Sequence, residues 1–122
     1  VSNLYRDIVD LYEFYQSKKN VLSETFPSLI RMSLRLLCET AAKNKNNTKL
    51  ENYLKSNFAK AKNTLDTDIK TSLSNQNVTE KSITQLLQTG AHNYQASSNL
   101  EQTLAMSVII GSILTITYGK QE

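Results

Sequence analysis

From Gln102 to Gly119 the chain carries no charged side chain over 18 consecutive positions. Projected at about 100° per residue, Leu104, Met106, Val108, Ile109, Ile110, Ile113, Leu114 and Ile116 spread around almost the whole circumference of a helix. A helix that is apolar all round has no face to give to water, so other elements must cover it on several sides. That requirement points to a bundle with this helix inside it. Length alone would also permit a membrane span. Gln102, Thr103, Ser107, Ser112, Thr115 and Thr117 dilute the apolarity, however, and amphipathic helices upstream stand ready as a cover. The expectation is therefore a buried helix and no membrane.

The rest of the pattern is helical too. The chain has one proline and three glycines in 122 residues, and no run alternates with period two. A first helix over about Asn3–Lys18 buries Leu4, Ile8, Leu11 and Tyr15. A second starts near Pro27, which suits a first helical turn, and runs to about Lys43. Its core stripe is Phe26, Ile30, Leu34, Leu37, Cys38 and Ala41, while Leu29, Met32 and Leu36 widen the apolar surface and predict heavy burial.

Thr48-Lys49-Leu50-Glu51 fits a capping box. After it, Leu50, Leu54, Phe58, Ala61, Leu65, Ile69 and Leu73 form one stripe over about 25 residues, roughly 37 Å of helix, with a break near Asn63-Thr64 left open. A shorter helix from about Thr79 to Thr89 should stop at Gly90 as a left-handed cap. Ser98-Asn99-Leu100-Glu101 offers a second capping box ahead of the last helix. The fold class is thus all-α: a compact bundle of about five helices with a buried, strongly apolar C-terminal helix. By length, residues 1–122 make one domain. The missing initiator methionine suggests a fragment of a larger protein.

The chemistry-bearing inventory is thin. With one histidine and one cysteine, a zinc site would need carboxylates or a second chain. No glycine-rich phosphate loop or nucleophile elbow occurs, so no metal and no cofactor is expected. Cys38 falls on an apolar stripe and reads as a small buried hydrophobe; a lone cysteine also suits a reducing, cytoplasmic setting. Arg31 and Arg35 lie on a mostly apolar helix, where they either bind phosphate or pair with carboxylates such as Glu39. His92 and Asn93 precede the last helix, where they either hold an anion or brace the connection. Residues 43–62 carry six lysines (Lys43, Lys45, Lys49, Lys55, Lys60, Lys62) against Glu51, leaving +5 there and −2 elsewhere. Such a segment meets phosphates or acidic surfaces, or keeps a surface soluble.

Ser107, Gly111 and Thr115 sit four apart on the last helix, a narrow strip that lets another helix backbone approach. With Leu104, Val108 and Ile113 they are the candidate interface of a homodimer, or of contacts with other domains of the same protein.

Phe26-Pro27-Ser28-Leu29-Ile30-Arg31-Met32 opening a helix, then a long amphipathic hairpin, then Ala91-His92-Asn93 before a last apolar helix, resembles HEPN-like helical domains in layout over residues 26–118. The resemblance implies a helical bundle that dimerises, beside nuclease, ATPase or ParB-like modules in bacterial defence or DNA-handling proteins. Active members of that family carry an arginine four to six residues before a histidine, and residues 82–91 contain none. What the resemblance implies is a non-catalytic domain for dimerisation or docking. The alternative is a HEPN-type ribonuclease, or a module that binds nucleic-acid backbone through Arg31, Arg35, Lys55, Lys60, His92 and Asn93.

Overall fold

A computed structural model of the chain describes residues 2–18, 26–92 and 100–118. Among them run six helices: α1 (Ser2–Lys18), α2 (Phe26–Asn44), α3 (Leu50–Lys62), α4 (Thr67–Asn75), α5 (Ile83–His92) and α6 (Leu100–Tyr118), with no strand among the described residues. The fold is an all-α bundle.

Two helices form its axis. α2 and α6 run side by side in the same direction: Arg31 meets Thr103 near their starts, and the Tyr118 hydroxyl donates to the Ala41 carbonyl near their ends. α3 and α4 pass along α6 in the opposite sense, as the side-chain bonds Tyr53 to Thr117, Thr64 to Ser112 and Gln102 to the Gln76 carbonyl show. α5 packs on α2 and, more lightly, on α3; α1 lies on α2 and reaches α6 through Tyr5.

The core follows the stripes. Ile30, Leu34, Leu37, Cys38 and Ala41 of α2, Leu54, Phe58 and Ala61 of α3, and Met106, Ile109, Ile110 and Ile113 of α6 are all buried. Ile109, Ile110 and Ile113 of the uncharged last helix thus face the interior. The apolar character of α6 nevertheless exceeds what the chain covers: 39 % of its apolar window is buried. Val108 and Thr115 are exposed, and Leu104, Gly111 and Ile116 are half-buried. α2 departs from the sequence reading in the same way, because Leu29, Met32 and Leu36 face outward. Both helices offer more grease than four neighbours and one chain can enclose.

Several boundaries differ from their sequence-based positions, each for a local reason. The long stripe is two helices, because residues 63–66 tighten into turns: Thr64 and Leu65 donate to carbonyls three residues back, and the Thr64 hydroxyl donates to the Ala61 carbonyl at 2.7 Å. Asp66 is then extended (φ −66°, ψ 157°) as the N-cap of α4. Leu65, in the break, still packs on the core.

The Thr48 capping box does not form. Lys49 is the N-cap of α3, without a side-chain cap bond. The Thr48 hydroxyl turns back to the Lys45 carbonyl, and Glu51 pairs with Lys55 instead. α5 starts at Ile83, after a turn braced reciprocally by Thr79 and Ser82: the Thr79 N–H donates to Ser82 Oγ at 2.9 Å and the Ser82 N–H to Thr79 Oγ1 at 3.1 Å. It runs through Gly90 to His92, and no glycine among the described residues has positive φ. The left-handed positions are taken by Asn46, Asn47 and Asn77, with φ of 59°, 55° and 58°; asparagine tolerates that region because its short amide can bond locally. The Ser98 capping box lies outside the described residues.

Candidate functional site

Arg31 is the most informative polar side chain in the bundle. It sits on α2 among apolar neighbours and is 1 % exposed. Its Nε donates to Thr103 Oγ1 at 3.1 Å, and Nη2 donates to Thr103 Oγ1 at 2.9 Å and to Gln102 Oε1 at 3.1 Å. The chain of bonds continues: Gln102 Nε2 donates to the Gln76 carbonyl at 2.8 Å, and Gln76 Nε2 to Glu101 Oε2 at 3.2 Å. One guanidinium therefore ties α2 to the first turns of α6, and through it to the end of α4. Burial lowers the pKa of Arg31, yet arginine stays charged in proteins, so the hydroxyl and amide oxygens help to solvate a cation. A positive charge so enclosed serves the fold rather than an incoming phosphate. The partners in α6, Thr103 above all, are not singled out by helical periodicity. Their sequence signal was polarity in the first turns of a helix that is otherwise grease.

Arg35 is half-buried, and its Nε lies 3.5 Å from Glu39 Oε1, the carboxylate pairing considered for it. Lys55 Nζ lies 2.7 Å from Glu51 Oε1. Lys60 is exposed. The His92 side chain and Asn93 lie outside the described residues. Cys38 is buried, and burial, with Glu39 nearby, pushes its thiol up to about 12; the thiolate needed for nucleophilic work is therefore strongly disfavoured. Among the described residues no three His, Cys, Asp or Glu side chains gather closely enough to hold a metal ion.

The six interface candidates of α6 divide. Ile113 is in the core. Gly111 lies under Tyr5 of α1, where a Cβ would come within 2.6 Å of the phenol oxygen, so the strip of small residues already has a close neighbour from its own chain. Leu104 and Ser107 line a small cleft of about 60 Å³ with Tyr5, Ile8 and Val9 of α1 and Ile30 of α2. Val108, 39 % exposed, and Thr115 remain outward. Their polarity is muted: the Thr115 hydroxyl donates to the Gly111 carbonyl and the Ser107 hydroxyl to the Leu104 carbonyl.

A second outward surface lies on α2. Leu29, Met32 and Leu36 are 46 %, 43 % and 56 % exposed, and spacings of three and four put them on one ridge. The hydroxyls beside them do not face water as free donors. Ser33 donates to the Leu29 carbonyl and Thr40 to the Leu36 carbonyl, both at 2.9 Å. The outcome is a hydroxyl-poor apolar ridge with Arg31 turned inward beneath it.

No family model, curated protein or solved structure matches the chain.

Proposed function

We propose that this domain works by association rather than catalysis, as a helical docking module whose partner is a second copy of itself. The observation that carries this reading is the ridge Leu29–Met32–Leu36, three large apolar side chains left outside the bundle on one face of α2. A straight ridge on one helix is self-complementary under two-fold symmetry, and an isologous pair is the commonest soluble assembly. Nothing charged stands in the ridge to repel a copy. The exposed strip of α6 around Val108 is the second candidate seam, and the HEPN-like layout favours a dimer as well. A place in a bacterial defence or DNA-handling protein belongs to the same proposal.

The expected strength is modest. Covering the exposed half of a Leu or Met is worth about 1 kcal/mol, so six such side chains supply about 6 kcal/mol. Rim contacts must then offset the entropy of association. That corresponds to a Kd on the order of 0.1 mM. Sedimentation equilibrium across that range should show the mass rising toward a dimer, and Leu36→Asp should return it to a monomer. Val108→Asp reports on the α6 seam in the same way. A parent chain that stays monomeric to about ten times that concentration refutes the reading.

A further inference from the structure

The lysine-rich segment does not form a uniform basic patch; the structure sorts it into two flanks of α3. On one flank Glu51 holds Lys55 at 2.7 Å, and Glu80 adds to the field that raises the pKa of Lys55, so Lys55 is neutralised there and Lys62 is the remaining cation of that side. The other flank runs Lys49, Asn52, Ser56, Lys60, Asn63, all exposed. Spacings of three, four, four and three place these five on one face of the helix. It contains no carboxylate. Neither lysine has a carboxylate within ion-pair distance among the described residues, although Glu51 on the adjoining flank feels the charge of Lys49 as well as that of Lys55.

Among the described residues, the stretch of α6 beside this face adds no negative charge. α6 lies antiparallel beside α3, fastened by Tyr53 to Thr117 and Thr64 to Ser112, both at 2.8 Å. Its residues from Gln102 to Tyr118 are uncharged. Beyond Glu51 and Glu80 on the other flank, acidic groups resume at Asp66 and Asp68, at the start of α4. The result is a strip about 21 Å long from Lys49 to Asn63, with its two cations about 16 Å apart (11 rises of about 1.5 Å) and amide and hydroxyl groups between and beyond them.

We propose that this face of α3, Lys49, Asn52, Ser56, Lys60 and Asn63, docks on the phosphate backbone of nucleic acid. Lysine with asparagine and serine is the side-chain set that contacts phosphate and sugar oxygens without reading bases. The arrangement has no aromatic side chain for base stacking, which favours duplex over single strand and predicts no sequence preference. An acidic protein segment would satisfy the lysines as well. It would gain less from a row of amides and hydroxyls than a ladder of evenly spaced phosphates does. This inference is independent of self-association, since it uses neither the α2 ridge nor the exposed strip of α6.

The test is a fluorescence-anisotropy titration of a labelled duplex DNA of random sequence against the full chain, between 25 and 200 mM salt. Two double variants lose the same charge: Lys49→Gln with Lys60→Gln, and Lys55→Gln with Lys62→Gln. All four sites lie on the surface or its margin, and circular dichroism checks that both variants fold. The Lys49/Lys60 variant should bind about tenfold or more weakly at low salt, with its log–log salt slope smaller by about 1.8, or 0.9 for each phosphate no longer neutralised. The Lys55/Lys62 variant should stay within about threefold of the parent. The inference is overturned by any of three results: no binding by the parent at 25 mM salt, equal losses in the two variants, or tighter binding of polyglutamate than of the duplex.

Discussion

Replacing Thr103 by valine removes one oxygen and leaves the shape of the side chain almost unchanged. The cost should nevertheless be large, because that oxygen accepts from both Nε and Nη2 of a guanidinium that is 1 % exposed. A hydrogen bond to a charged group is worth about 1.5–3 kcal/mol. Gln102 continues to accept from Nη2, so the expected loss is about 2–3 kcal/mol rather than the sum of both bonds. For a chain of this size that lowers Tm by about 10 °C.

Arg31→Met should be milder, below about 1.5 kcal/mol. It keeps an apolar stem and removes the buried charge, and replacing a buried ion by a hydrophobe is often close to neutral. The Thr103 hydroxyl left behind can turn to a carbonyl of its own helix, as Thr115 and Thr117 already do. The double variant should then be no worse than Arg31→Met alone, giving a coupling of about 2–3 kcal/mol, the whole of the Thr103→Val loss, in a double-mutant cycle. Urea unfolding of the four proteins measures it. If Thr103→Val costs under about 0.5 kcal/mol, or the two losses simply add, Arg31 is not solvated by Thr103 and the account of how α2 holds α6 fails.

Two further outcomes test the fold locally. Asn77 closes α4 with φ of 58°, while the Val78 N–H donates to the Leu73 carbonyl and the Asn77 N–H to the Ser74 carbonyl, the paired bonds of a left-handed helix stop. Asn77→Ala should therefore cost about 1 kcal/mol and Asn77→Gly stay within about 0.5 kcal/mol of the parent, with equal losses for both refuting the backbone explanation. Burial pushes the Tyr53 phenol up to about 12 from its ordinary 10, against the opposing bond to Thr117. The unfolded chain thus gives up this proton first as pH rises, so its contribution to stability is complete below pH 10 and is lost between 10 and 12. Urea midpoints from pH 8 to 11.5 should fall more steeply in the parent than in Tyr53→Phe; identical slopes would refute the assignment.

The candidate surfaces show where sequence reasoning stops. Periodicity identifies Leu29, Met32 and Leu36 as apolar and near a core stripe, but a 100° step cannot say how many neighbours a helix will have. α2 turned out to be packed on one broad side only, and the remainder became a ridge. The same limit applies to the small-residue strip of α6. Spacing announced a close approach at Gly111, whereas only the fold could assign that place to Tyr5 of α1 rather than to a second copy. Charge spacing gave the lysine count. Which lysines stand beside a carboxylate depended on where Glu51 points once Thr48 had bonded backward to Lys45.

What the chain determined by itself was the kind of element and the core residues. Helical repeats of Leu, Ile and Phe, an uncharged last helix and scarce glycine and proline leave few alternatives to an all-α bundle, because burial of apolar area is non-directional and depends on composition and period alone. What tertiary structure decided was everything directional. Thr103 became the solvent of a buried arginine, asparagines took the left-handed stops in place of Gly90, and one flank of α3 was left cationic. Hydrogen bonds and ion pairs require a particular partner at a particular distance, and the partners here lie up to 77 residues apart in the chain.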